Sequence, residues 1–336
     1  MSSVPRDING TALPIGTNVT CPNNVTIIIP IAAPIWTSRA LFYLLICIIG
    51  FICNGSTLLM ILCDRQHRTA SFNVYIIILL STNLLASMVQ YPLAVMYERH
   101  RQIYYYIGKP AWSVYLYCQN VLTTVMVNIH AIMAANRMWA ILFPVSYRSH
   151  HSRKLALITC LVAWVYVHIV EGGFVVIAIL DMYYLQTDLK KFGCKIRPSQ
   201  AVLDWATVSD LLVFAIPVVF VIVSFPVVVV VRLKYQRQVF LERRRGLAPP
   251  VSVRRSSSKF VVLTVLTLCV AVFYAPQIFF YLRSDFTGVF GQTWFLYTCQ
   301  AMVDPILFVL ALEPLRLSAV RLLTCRGSTR VQAANQ

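Results

Sequence analysis

Seven apolar runs, each long enough to cross a lipid bilayer as a helix, limit this chain more than any other feature. They fall at about 36–63, 72–97, 111–142, 154–180, 201–233, 258–283 and 290–311 of the 336 residues. About 20 apolar helical residues span the hydrocarbon. Helices are the only reasonable form there, since an open sheet edge facing lipid would leave backbone groups unpaired. The remaining composition agrees: 58% of residues are hydrophobic and 12% are charged, about half the charge of a soluble domain. The sequence therefore predicts an all-α membrane protein, a seven-transmembrane helix bundle.

The net charge of +17 suggests nucleic acid only in a soluble protein. Here the basic residues lie between apolar runs, so topology and anionic lipid headgroups account for them. With the N-terminus outside, nineteen of the 29 Lys and Arg residues face inward and ten face outward, as the positive-inside bias requires. Three sequons, at Asn9, Asn18 and Asn24, lie in the polar leader and independently place that end in the glycosylating compartment. Asn54-Gly55-Ser56 also fits the pattern but is inside the first run. The chain divides into a glycosylated outer tail (1–35), the bundle (36–312), an amphipathic surface helix (313–325) and a disordered inner tail (326–336). The surface helix is expected from Leu315, Leu317, Val320, Leu322 and Leu323 interleaved with Arg316 and Arg321. The stretch from 234 to 257, basic and holding Gly246, Pro249 and Pro250, reads as a flexible inner loop. Six cysteines within the apolar runs read as packing residues. No metal-ligand cluster, phosphate loop or catalytic triad appears, so neither a cofactor nor catalysis is expected.

Motifs on successive runs narrow the class. The third run ends Asn136-Arg137-Met138-Trp139-Ala140-Ile141-Leu142-Phe143-Pro144-Val145-Ser146-Tyr147, and Trp164 follows twenty residues after Pro144. Gly50 and Asn54 mark the first run, Phe214 and Pro217 the fifth. Phe273-Tyr274-Ala275-Pro276 marks the sixth, and Asp304-Pro305 with Phe308 the seventh. In order and placement these resemble the rhodopsin-like (class A) G-protein-coupled receptors, over roughly residues 36–325. The resemblance implies a plasma-membrane receptor with an outer ligand and an inner heterotrimeric G protein. It gives Asn136, Arg137, Pro144, Tyr274, Pro276, Asp304, Pro305 and Phe308 roles in coupling and activation. Pro217, Pro276 and Pro305 also have a plain physical meaning, since a proline within a helix frees a carbonyl and permits a bend.

Three departures from the family pattern stand out. The acid before the arginine is Asn136, and the sixth-run position that pairs with the arginine in many members is Ser256. Both ionic partners are absent, which predicts a less firmly locked resting state and raised basal signalling. Next, the family carries Asp in the second run and Asn in the seventh around a sodium ion. Here Asn83 and Asp304 exchange them, forming a polar core with Asn54 and Gln300, while Met126 and Gln300 replace small oxygen ligands. Sodium modulation is therefore not expected. Last, the family's outer disulfide would join Cys194 to a position held by Trp112, leaving Cys118 or Cys21 as its partner.

By the same resemblance, Tyr115, Gln119, Asn120, Thr123, Glu171, Ser209, Asp210, Gln277, Tyr281, Ser284, Phe290, Trp294 and Thr298 face the outer cavity. Gln119 stands where amine receptors hold an aspartate, and Thr298 where opsins hold the retinal lysine. A monoamine is disfavoured and a retinal Schiff base excluded. Glu171 and Asp210 are intramembrane acids, functional candidates by default, although Glu171 could instead pair with His168 or its own backbone. Many receptors of this kind bind peptides, so the resemblance makes a peptide the expected ligand class. The tyrosine-rich outer loops (Tyr104, Tyr105, Tyr106, Tyr183, Tyr184) add little, since tyrosines also anchor at the membrane interface, and lipids and other small molecules stay open. Cys325 is a palmitoylation candidate. Ser256, Ser257 and Ser258 after Arg254-Arg255 form a basophilic kinase site. A non-signalling scavenger or accessory receptor, or a small transporter or channel, is the rival reading.

Overall fold

The computed structural model describes residues 16–20, 26–30, 35–100, 109–180, 200–244, 268–276, 290–312 and 315–317. Outside the membrane-type helices it contains one small antiparallel hairpin. Strands Gly16–Thr20 and Thr26–Pro30 pair with Asn18 opposite Ile28. The polar leader thus holds a β-ribbon that its three sequons did not announce; its isoleucine and threonine content favours strand.

Five helices are long and apolar enough to cross a membrane: Ser38–Cys63, Asn73–Arg99, Pro110–Leu142, Arg153–Leu180 and Gln200–Val231. They correspond to the first five runs. The seventh run forms helix Phe290–Ala311, and the described part of the sixth, 268–276, is helical. The fifth helix runs on to Arg244, so 234–244 belongs to it rather than to a loop. Lys, Gln, Leu, Glu and Arg in that stretch are good helix formers, and no glycine interrupts until Gly246. The surface-helix segment is described only at 315–317, where Leu315 is buried and Arg316 and Leu317 are exposed.

The first and fourth spans turn mostly polar and small residues inward and large aliphatic ones outward. In the first, Ala40, Tyr43, Ile46, Gly50, Asn54, Thr57 and Ile61 form a buried stripe at three- and four-residue spacing. Leu41, Leu45, Ile48, Ile52 and Leu59 are exposed, which is stable only against lipid. Thr37 caps this helix, its Oγ1 accepting from the Ala40 amide at 3.1 Å. In the fourth span, buried Ala156, Cys160, Ala163 and Val167 are small, allowing the close approach to the third span that small residues permit in membranes. Gly50 is required by packing: a β-carbon there would lie 2.7 Å from Ser87 Oγ of the second span.

Three helix prolines explain how the spans are tied together. A proline lacks the N–H that would bond the carbonyl four residues back. Pro305 frees the carbonyl of Ala301, which accepts from Asn54 Nδ2 of the first span at 2.8 Å. Before Pro217, residues Asp210–Ala215 widen into a π-turn. Its carbonyls at Leu212 and Val213 accept from Tyr166 Oη at 3.2 Å and Asn128 Nδ2 at 2.7 Å. Before Pro92, Ala86–Gln90 form a second π-turn, and Ser87 O accepts from Cys47 Sγ at 3.2 Å. Every carbonyl freed at these three bends that takes a side-chain donor takes it from another span, which satisfies the backbone inside the hydrocarbon.

Candidate functional site

Asp304 lies at the centre of the bundle, fully buried. Its Oδ2 accepts from Asn83 Nδ2 and from His130 Nε2, each at 3.2 Å, and its Oδ1 accepts from Gln300 Nε2. One carboxylate thus joins the second, third and seventh spans. The amide and acid exchanged between the second and seventh runs do face each other. Asn54 completes the polar core through Gly50 O and Ala301 O.

His130 is the residue that sequence reasoning missed. It is a lone histidine on an otherwise apolar stretch, and such a residue ordinarily reads as core. The one available signal was Asp304 itself, because a buried acid calls for a nearby basic group. The amide oxygens of Asn54, Asn83 and Gln300 are buried without a hydrogen-bond partner, but the acid that would anchor the family's sodium ion is engaged. Both carboxylate oxygens already accept N–H donors, and buried Met126 offers no oxygen. No step is therefore assigned to that ion.

Toward the N-terminal end of the seventh helix from this core, Tyr274 is buried and stacks on Tyr297 with ring centroids 6.0 Å apart, and meets Phe214 edge-on at 5.9 Å. Pro276 is half-buried at the end of the described sixth helix, and Phe308 is buried. At the inner end, Asn136 donates from Nδ2 to Tyr147 Oη at 3.5 Å. Arg137 places its guanidinium carbon 3.7 Å from the centre of the Phe72 ring. Pro144, at the first position of helix Pro144–His150, suits a helix start, and Trp139 Nε1 donates to Ser146 Oγ at 3.3 Å to hold that helix in place.

The outer-cavity residues separate into two groups. Between the second and third spans, Tyr115 stacks on Tyr97 at 5.2 Å and Thr123 accepts from Gln90 Nε2 at 3.5 Å; Gln119 is buried. Asn120 turns back to its own helix, donating to Leu116 O at 2.7 Å. Between the fourth and fifth spans, buried Glu171 lies beside Ser209 and Asp210, and Ser209 Oγ donates to Ala206 O at 3.1 Å. His168 bonds Trp164 O at 2.8 Å, so the partner considered for Glu171 is engaged elsewhere. Trp205 Nε1 to Val170 O, at 3.3 Å, further ties these two spans. Thr298 is buried. Gln277, Tyr281, Ser284, Cys21, Cys194, Cys325, Asn9 and Asn24 lie outside the described residues, as do the side chains of Phe290 and Trp294. Cys118 carries a free, half-buried thiol.

The family described as "7 transmembrane receptor (rhodopsin family)" matches residues 53–308. The chain belongs to that family. Membership makes it a multi-pass membrane protein of the seven-helix receptor class and not an enzyme. Among curated proteins, Cysteinyl leukotriene receptor 1 of Homo sapiens is 29% identical over 204 residues, 57% of this chain and 56% of that receptor. The receptor of the same name from Cavia porcellus is 27% identical over 212 residues, covering 60% and 59%. That of Sus scrofa is 28% identical over 201 residues, covering 57% and 56%. The matches thus span a little more than half the length of each relative.

Proposed function

We propose that the chain is a cell-surface receptor that passes the binding of an outer ligand to an inner heterotrimeric G protein. The observation that carries this reading is the Asp304 cluster. A single buried carboxylate fastens three spans midway between the outer polar groups and Arg137. A ligand that shifts any one span must rearrange those bonds, and a packed bundle with two discrete arrangements can carry that change to the other side. Inward-biased basic residues and three leader sequons support a plasma-membrane location with the N-terminus outside.

For the ligand, the relatives' name points to a cysteinyl leukotriene, a lipid-derived molecule. The peptide expectation came mostly from what many such receptors bind, and the tyrosine-rich loops that agreed with it lie outside the described residues. A lipid is accordingly the leading class and a peptide the second. The test is a lipid and peptide library applied to cells expressing the full chain with a promiscuous G-protein readout. The reading expects a hit that requires the chain and disappears in Arg137→Ala. A ligand that binds with no G-protein response would favour the scavenger or accessory alternative, and substrate flux in proteoliposomes would favour a transporter.

A further inference from the structure

Arg137 poses a charge problem that the polar core does not address. Its Nε–H is buried without a hydrogen-bond partner, and a charge at the edge of the hydrocarbon is costly unless it is paired. No Asp or Glu occurs between positions 243 and 284, so neither the sixth span nor the loop before it can supply a carboxylate. Asn136 is neutral and turned to Tyr147. Among the described residues no carboxylate stands within ion-pair distance of Arg137.

The Phe72 ring, 3.7 Å from the guanidinium carbon, fills that place. Phe72 precedes the second span and is itself held. Its ring tilts against Tyr75 at 5.9 Å, Tyr75 stacks on His151 at 6.2 Å, and His151 stacks on Tyr147 at 4.4 Å. Tyr147 accepts from Asn136, the neighbour of Arg137 in the chain. The contacts close on themselves, so the ring and the guanidinium are positioned by the same aromatic circuit.

We propose that Phe72 is the positioning residue for Arg137, its aromatic face holding the guanidinium against the second span in place of a carboxylate. The contact suits a reversible restraint. A guanidinium can slide from a ring face and leave no bare anion behind, which parting from a buried acid would do. A partly desolvated cation–π contact biases an equilibrium by about tenfold or more. Signalling is part of this inference only through the proposed receptor function; the contact itself stands apart from it.

Two measurements on the full chain test it. In detergent, thermal midpoints are compared for the wild type, Phe72→Leu, Arg137→Met and the double variant. Phe72→Leu is expected to lower the midpoint strongly when Arg137 is present and little in the Arg137→Met background. Equal shifts in both backgrounds overturn the proposal. In cells at matched surface expression, Phe72→Leu is expected to raise basal G-protein output by about tenfold, and Phe72→Tyr, which keeps the ring, to restore it. Equal output from Phe72→Leu and Phe72→Tyr in a chain that responds to ligand also overturns it. Silence of every variant with intact thermal coupling would instead refute the receptor reading and leave the contact established.

Discussion

Replacing Asp304 with asparagine measures how much of the bundle's cohesion passes through one side chain. Its two oxygens accept N–H groups from Asn83, His130 and Gln300. A hydrogen bond to a charged group contributes about 1.5–3 kcal/mol and a neutral one about 0.5–1.5 kcal/mol. Neutralising the acceptor therefore costs roughly 1 kcal/mol at each bond, or roughly 3 kcal/mol in all. An amide also presents a donor where a carboxylate presents only acceptors. Against this, the variant no longer keeps a charge in the hydrocarbon, and polar contacts between membrane helices measure at only about 0.6–1.7 kcal/mol. The net loss is therefore about 1–2 kcal/mol. Adding Asn83→Asp returns a carboxylate to the same contact, with the new amide as its donor. Recovery should be partial, because His130 reaches Asp304 and has no bond to Asn83. Unfolding of the purified chain, followed with a thiol-reactive dye that reports exposure of buried cysteines such as Cys160, should rank wild type above the double variant and the double above Asp304→Asn. If the double variant is no more stable than the single, the two residues are not partners and the reasoning fails.

Asn128→Ala leaves Val213 O without its side-chain donor, an expected loss of about 1–3 kcal/mol. Adding Pro217→Ala, which returns a backbone N–H, should shrink that loss, and equal effects in both backgrounds would refute the carbonyl assignment. Gly50→Ala must displace Ser87, which donates to Asn83 O at 2.9 Å. It should lower the thermal midpoint, and restoration is expected when Ser87→Gly is added; no restoration would locate the strain elsewhere. His151 lies between the third and fourth spans, and burial, aided by the nearby Arg137, pushes its imidazole below the ordinary range. The unfolded chain therefore takes up the proton first. Stability from the neutral ring is full above about pH 6.5 and is lost as pH falls toward the lower folded value. His151→Phe keeps an aromatic ring on Tyr147 but cannot titrate, so it should flatten the decline of the midpoint between about pH 7 and about pH 5. An unchanged slope would exclude His151 as the source.

The membrane helices were legible because run length and hydrophobicity are properties of contiguous sequence. Their predicted ends lie close to the observed ones where a charge or a helix cap marks the boundary, as at Thr37. The fifth helix outran its apolar run because charged residues stop burial, not helix. The Asn83–Asp304 pairing was readable because motif positions fix which spans they occupy. His130 and Phe72 were not. A histidine's partner and an arginine's aromatic neighbour come from distant turns of other helices, and neither leaves a local pattern. The peptide expectation rested mostly on what many receptors of this kind bind, and the loop tyrosines added little because tyrosine serves equally well as an interface anchor.

The two π-turns change what a position number means. A widened turn takes in an extra residue, so side chains beyond it are offset by about 100° from an uninterrupted α-helix. In the fifth span, the outer residues 200–209 are therefore rotated one step from where a count back from Pro217 would put them. The buried side of that segment bears Ser209 against Glu171. Deleting a single residue within Asp210–Ala215 would leave the inner half and its proline in place and swing the entire outer half to a new bearing. A receptor built this way can re-aim its ligand face by a change in length alone, with no substitution in the cavity.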